Sequence, residues 1–333
     1  MNGGYRFIVE WLEAHLRKRG HAVETVYIPS TENPDTLLEQ MAVFRSIELA
    51  ESYDRVITLR PPAHVVRHPR KVVWFIHHIR IFYDLWDSPY RPFPDIAPWR
   101  ALRRQIIAAD TNALAEAHRV FSNSRVVAGR LSHFNGIAAE VLYPPVLTPE
   151  RFLAGEHGDE IVCVCRLEHH KRQHLLVEAM AHTRTAVRLR LCGPSLNPGY
   201  VANLRDMAQR HGVQHRVSIE NRWITEEEKV LVLETALAAA YVPFDEDSYG
   251  YPTIEAAHAR RCTVTASDSG GVPEFVTDGA NGLITPPDPA ALGAAFDRLY
   301  ADRALARRMG DAASDHVATL GIDWDTVITK LLA

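Results

Sequence analysis

One alternation runs through this chain twice, and it narrows the choice of folds more than any other feature. The short runs "HAVETVYIP", "DRVITLR", "KVVWFIH" and "HRVFSNS" are rich in β-branched and aromatic residues, and the segments between them are long enough for crossover helices. After "AEVLYPPV" the pattern breaks at "LTPERFLAGEHGDE", a polar stretch with Pro and Gly. It restarts with "EIVCVCRL", "VRLRLCG", "RVSIEN", "LAAAYVPF" and "CTVTAS". Strands that alternate with helices predict parallel sheets covered on both faces. A single core tends to stop growing near ~250 residues, and the chain has 333. The break over residues 147–158 therefore predicts a linker between two doubly wound α/β domains, residues 1–150 and 151–333. Each is expected to bind ligands outside the carboxyl ends of its strands, with the two facing each other across a cleft.

Composition excludes several classes. Hydrophobic content of 47% and charged content of 23% suit an ordinary soluble protein, and a net charge of −4 gives no general attraction to nucleic acid, so no such partner is expected. No apolar run approaches the ~20 residues that span a bilayer, and the N-terminus lacks the charged-then-apolar order of a secretion signal. A cytoplasmic location is expected. Cys163, Cys165, Cys192 and Cys262 fall in strand-like stretches without C-x-x-C spacing, as reduced core residues do.

The stretch "DEDSYGYPTIEAAHARR", residues 245–261, follows the strand-like "LAAAYVPF" and so begins at a carboxyl edge. Pro252 suits the first helical position, where a missing N–H costs nothing. Gly250 admits close approach of a ligand to the backbone, and the free amides of a first helical turn favour an anion such as a diphosphate. Glu255 would then accept hydrogen bonds from sugar or ribose hydroxyls; an acid that merely complements the helix dipole explains it equally well. "CRLEHHK" places Arg166 and Lys171 at the same edge of the second sheet, the first a planar fork and the second a mobile point charge. Beside a helix N-terminus, this pair is better read as neutralising a diphosphate than as solvated surface charge.

The second half resembles the nucleotide-sugar domain of glycosyltransferase family 4, the retaining group 1 enzymes of GT-B fold. "CRLEHHK" is similar to the family's "GRL..EK" strand-loop. "DSYGYPTIEA" is similar to its "E-x7-E" loop-helix, with Glu255 as the second acid and Asp247 where Glu is usual. "VTASDSGGVPEFVTDGANGLITPPD" resembles the family's strand, Gly-Gly, Glu and turn in order. More loosely, "GGYRFIVEWLEAHLRKRGHAV" resembles its opening Gly-Gly loop and helix, and "KVVWFIHHI" puts His77 where the family has a strand-end histidine. For the adjacent His78 a structural role is expected.

The resemblance implies transfer of a sugar from a nucleotide diphosphate to a hydroxyl with retention, and no cofactor or metal. Arg166 and Lys171, with the amides near Gly250 and Tyr251, would neutralise the leaving diphosphate. Glu255 would hold the ribose, Asp247 the hydroxyls of the transferred sugar, and His77 would orient that sugar. Gly3 and Gly4 would approach the phosphates, and Tyr249, Pro252 and Thr253 complete the donor loop. The base would lie beside "SIENRWI", with Arg222 and Trp223 as candidates and UDP expected ahead of GDP. The resemblance further implies a glycan, lipid-linked or small-molecule acceptor, a role in polysaccharide or glycoconjugate synthesis, and a last helix that packs back on the first domain. Three departures stand out. Met1-Asn2-Gly3-Gly4 leaves no room for the family's first strand, so the first domain is expected to lack it. Asp247 is one methylene short, and Cys165 stands where Gly or Ser is usual.

Two segments of the first half read two ways. "HIRIFYDLWDSPYRPFPD" suits sugar stacking or a lid, and equally a loop packed on its own core. "WRALRRQIIAADTNAL", with Arg100, Arg103 and Arg104, suits a solvated helix face better than contact with the inner face of a membrane. Rival functions are a nucleotide-sugar epimerase of the same architecture and a noncatalytic sugar-nucleotide binding protein. A dinucleotide dehydrogenase is disfavoured, because no strand is followed by G-x-G-x-x-G.

Overall fold

The computed structural model describes residues 4–31, 33–88 and 91–333. In chain order its elements are α1 (Gly4–Lys18), α2 (Leu37–Arg45), β1 (Val56–Thr58), β2 (Lys71–Phe75), α3 (Ala97–Ala115), β3 (Arg119–Ser122), α4 (Arg125–Asn135), β4 (Glu140–Val141), β5 (Glu160–Val164), α5 (Gln173–His182), β6 (Arg188–Cys192), α6 (Pro198–Arg210) and β7 (Val217–Glu220). There follow α7 (Glu226–Glu234), β8 (Ala238–Ala240), α8 (Tyr251–His258), β9 (Thr263–Ala266), β10 (Gly282–Thr285), α9 (Pro289–Ala301), α10 (Arg303–Thr319) and α11 (Trp324–Leu332). The chain divides into two compact units. The first is residues 1–145 with 323–333, and the second is residues 146–322.

The first unit holds a parallel sheet of order β1-β2-β3-β4. All five residues of β2 are buried, as expected of a strand covered on both faces. The amphipathic α1 buries Ile8, Leu12 and Leu16 at four-residue spacing. α11 belongs to this unit: the Trp324 ring stacks on His15 at 4.8 Å, and Arg55 Nη1 donates to the Leu331 carbonyl at 2.6 Å. Among the described residues no strand precedes α1. "HAVETVYIP" is not a strand, in contrast to its reading from composition. A strand exists only through a ladder, and this run has no hydrogen-bonded neighbour in the sheet; Val26 and Tyr27 are exposed.

Of the two readings of residues 78–95, packing on the core is the one observed for those described. Phe82, Tyr83 and Trp86 are buried, Phe93 stacks on Trp99 at 4.1 Å, and the guanidinium groups of Arg91 and Arg103 lie over the Trp86 ring. Arg103 also donates to the Phe82 carbonyl, and Arg100 pairs with Asp95, so two of the three arginines on α3 are occupied locally. No helix among the described residues is long and apolar enough to cross a membrane.

The second unit holds six parallel strands in the order β10-β9-β8-β5-β6-β7. Alternation sorts its side chains. Ile161, Cys163, Ala238 and Ala240 face the core under α5, α6, α9 and α10, while Val162 and Ala239 face α7 and α8. The stretch 147–158 is packed rather than loose: buried Arg261 donates to the Gly155 carbonyl at 2.7 Å and to the Leu233 carbonyl at 3.0 Å. The four cysteines are unpaired, and Cys165 is the one not fully buried.

Candidate active site

The strand order of the second unit reverses direction between β5 and β8. Chain order runs outward from β5 through β6 to β7 on one side, and from β8 through β9 to β10 on the other. Loops leaving the carboxyl ends of two such strands part company and open a crevice, where ligands of doubly wound sheets bind. The loop after β5 carries Arg166 and Lys171, and the loop after β8 carries residues 241–250.

These loops are clamped together. Arg172, in a left-handed conformation at φ 54°, sends its guanidinium to the carbonyls of Val242 and Pro243, each at 2.8 Å, and to both carboxylate oxygens of Asp268. The Phe244 amide donates to the His170 carbonyl at 2.8 Å. Gln173, fully buried, donates to the Arg166 carbonyl at 2.9 Å and accepts from the Glu168 amide at 3.3 Å. Gly270 and Gly271 lie under the acidic loop. A Cβ on Gly270 would stand 2.2 Å from the Glu246 carbonyl oxygen, and one on Gly271 would stand 2.7 Å from Ser248 backbone.

Lys171 is nearly buried. Its Nζ lies 2.8 Å from the Tyr241 hydroxyl and is ion-paired with Glu246, and the same hydroxyl donates to Glu246 Oε2 at 2.9 Å. Burial pushes the Glu246 carboxyl up, but the Lys171 charge and the bonds from Lys171 and Tyr241 outweigh it and hold the group below its ordinary value. Tyr241 also joins this cluster to the helix tip. Gly250, with φ 69°, lies so close that a Cβ there would be 2.3 Å from Tyr241 Cε1. Sequence reading found Lys171 and Gly250 but missed Tyr241, which it counted as strand, together with Glu246, Gln173 and Arg172.

α8 starts at Tyr251, so Pro252 is its second residue rather than its first; its absent N–H is still one that a first turn leaves without a helical partner. No side chain caps this end. Thr253, in the first turn, is fully buried and its hydroxyl has no hydrogen-bond partner. Tyr249 differs from expectation: its ring is buried 6.1 Å from that of Phe275, leaving only its backbone for a ligand. Asp247 is half-buried in the loop between.

Both cations assigned to the diphosphate are paired with acids. Arg166, 42% exposed at its side chain, bonds Glu168 Oε1 at 2.7 Å, and Lys171 has Glu246. Glu255 is likewise engaged, receiving Lys229 Nζ at 2.5 Å; burial raises its carboxyl, and the Lys229 charge only partly offsets this. Arg222 pairs with Glu220 and Glu228 and lines, with Ile224 and Val232, a cavity of about 180 Å³. Trp223 is 52% exposed and does not line it.

In the first unit, His77 follows β2, and its Nδ1 donates to the His78 carbonyl at 2.7 Å. A carbonyl only accepts, so Nδ1 is the donor in this contact. Buried His78 bonds Asn135 at 2.9 Å, and burial pushes its pKa down to about 4, in keeping with a structural role. Gly4 opens α1 instead of lying in a loop, because the amphipathic run that follows already extends to it; Gly3 lies outside the described residues.

The architecture defines a class, the GT-B fold, and solved structures agree. Over 99% of its length the chain superposes on Anabaena HepE in complex with UDP and glucose, covering 95% of that chain at a TM-score of 0.73 and 19% identity. On sucrose-phosphate synthase from Thermosynechococcus elongatus, with 92% of that chain covered, the TM-score is 0.76 and the identity 18%. The family model for glycosyl transferases group 1 matches residues 149–316, half of the chain, and the protein belongs to that family. Alpha-maltose-1-phosphate synthase of Mycobacterium tuberculosis is 31% identical over 193 residues, 54% of this chain and 49% of that one. D-inositol 3-phosphate glycosyltransferase of Nocardiopsis dassonvillei is 26% identical over 253 residues, 68% of this chain and 57% of that one. The chain spans about half the length of these relatives. The resemblance drawn from "CRLEHHK" and "DSYGYPTIEA" thus holds.

Proposed function

We propose that the protein is a retaining glycosyltransferase that moves a sugar from a nucleotide-diphosphate donor to a hydroxyl of a glycan, lipid-linked or small-molecule acceptor. One observation carries the reading. At the β5/β8 reversal an ammonium, a phenol and the uncapped tip of α8 converge around Tyr241, with the unpartnered Thr253 hydroxyl in that tip's first turn. The diphosphate sits there, held by Lys171, by Arg166 and by the amides at Gly250 and Tyr251, without a bound metal. Glu255 holds the ribose, for which its present partner Lys229 can turn aside, while Asp247 addresses the transferred sugar and Pro252 borders the donor. Arg222 and Trp223 flank the base. UDP is favoured by the UDP-glucose complex of Anabaena HepE. GDP is the alternative, since a GDP-mannose-dependent mannosyltransferase of Mycobacterium tuberculosis is 30% identical over 197 residues.

Transfer takes a front-side course. The anomeric carbon loses its bond to the leaving-phosphate oxygen and gains one to the acceptor oxygen on the same face, while a phosphate oxygen takes the acceptor's proton. The work is placed in the cytoplasm, at or near the inner face of the membrane, in polysaccharide or glycoconjugate synthesis. A sugar-nucleotide binding protein without turnover is the second reading, favoured by the pairing of both cations with acids. The test is a panel of UDP- and GDP-sugars incubated with glycan and lipid-linked acceptors. Release of nucleoside diphosphate with a new glycoside of unchanged anomeric configuration is expected. Thermal stabilisation by nucleotide with no release over any acceptor selects the second reading.

A further inference from the structure

Glu246 occupies the place in which a phosphate oxygen would be expected. It accepts from the Tyr241 hydroxyl and from the Lys171 ammonium, two donors that the β5/β8 crevice offers beside α8. A cation already neutralised by a carboxylate attracts an arriving anion weakly, because the pair carries no net charge. The Glu246 backbone is pinned: its carbonyl accepts from the Gly271 amide at 2.8 Å, and Gly270 lies against its amide nitrogen. Its side chain is 24% exposed, against 9% for Lys171. The carboxylate can therefore turn toward water while the ammonium cannot.

From this cluster we propose that Glu246 is an internal stand-in for the donor's diphosphate, which Lys171 and Tyr241 exchange for a phosphate oxygen when donor binds. The inference rests on the donor-site reading above and adds a residue that limits affinity. In the empty protein the carboxylate satisfies a nearly buried ammonium that would otherwise pay the full cost of desolvation. On binding, Glu246 rotates out, the ammonium bonds the phosphate, and the Tyr241 O–H turns from carboxylate to phosphate. No bond is made or broken. Donor affinity then equals the intrinsic affinity of the cation and phenol, reduced by the cost of expelling Glu246.

The experiment is calorimetric titration of UDP and of GDP into the full chain as wild type, E246Q, Lys171→Met and the double variant, with E246A as a second replacement and thermal melts to verify folding. The amide keeps its shape but gives up the ion pair, so E246Q is expected to bind the preferred nucleotide about tenfold more tightly than wild type. In the Lys171→Met background the same substitution should change affinity by less than about twofold, because the competitor then has nothing to compete for. Equal or weaker binding by both E246Q and E246A overturns the proposal and makes Glu246 a group that positions Lys171. An equal gain in the Lys171→Met background also overturns it, since removal of any negative charge would then suffice. If wild type binds nucleotide, the donor-site reading survives either result. If no variant binds UDP or GDP, that reading falls and the exchange falls with it.

Discussion

Two lysines, one in each unit, are both withdrawn from water but meet opposite kinds of partner. Lys71 starts β2 and is fully buried, and its ammonium donates to the carbonyls of His64 at 2.9 Å and Ala113 at 2.7 Å; the nearest carboxylate, Glu116, is 3.9 Å away. Lys171 follows β5 and meets a phenol and a carboxylate. The first is placed at the amino end of its strand, where open α/β sheets carry no ligand site, and its partners are backbone atoms that cannot leave. The second is at the carboxyl end of a strand beside the order reversal, and one of its partners, the Glu246 side chain, is exposed enough to turn. Burial alone says nothing about function. Strand end and the mobility of the partners separate the structural lysine from the one that we propose meets the donor.

The sharpest way to break this comparison is to remove the second lysine. Lys171→Ala should lower donor turnover by about 10²–10³-fold, as loss of one preorganised charge-stabilising group does. Its melting should change by no more than about 1 kcal/mol of stability, because Glu246 can turn to water. Steady-state assay beside a urea titration reads both, and a variant that unfolds while the residual enzyme turns over normally would reverse the assignment. Gly250→Ala comes next. Its Cβ would sit 2.3 Å from Tyr241 Cε1 at a backbone φ of 69°, so about 2–3 kcal/mol of stability should be lost. Donor binding should weaken as well, since the displaced ring carries the hydroxyl that meets Lys171. An unperturbed melt would mean that the ring can give way, and that it does not fix the two loops.

Much of this was legible because the informative residues are close in sequence. "CRLEHHK" and "DSYGYPTIEA" each occupy one loop at one strand end, so their order and spacing put both loops at one edge of the second sheet. Side-chain pairing was not legible. Lys171 and Tyr241 are 70 residues apart, Arg172 and Asp268 are 96 apart, and no local pattern says which acid a cation will choose. Glu168 was visible inside the motif itself, but nothing in the motif marks it as the partner of Arg166. Alternation also overreached at residues 21–29, because β-branched composition records fitness for a pleated surface and cannot supply a neighbour. The aromatic run at 78–95 left lid and core open, and the burial of Phe82, Tyr83 and Trp86, with two arginines over the Trp86 ring, decided for core.

The smallest expected effect concerns Lys71 and sharpens the comparison from its structural side. Burial pushes its pKa down from 10.5 to about 8, with the Glu116 charge opposing only in part. The depressed group is a base, so the unfolded chain holds the proton more tightly than the folded one. Between about pH 8 and the ordinary lysine value the unfolded state binds more protons, and stability rises with pH. Below pH 8 both states are protonated and the penalty is constant. From pH 8 to 9.5 the wild type should gain about 2 kcal/mol relative to a Lys71→Met variant, which has nothing to titrate at this position. Urea unfolding of both proteins at the two pH values gives the difference directly, and parallel stability curves would mean that the two carbonyls stabilise the ammonium enough to cancel its burial. A gain confined to the wild type would confirm that the ammonium is held against its own desolvation, as befits a group that braces β2 and meets no ligand.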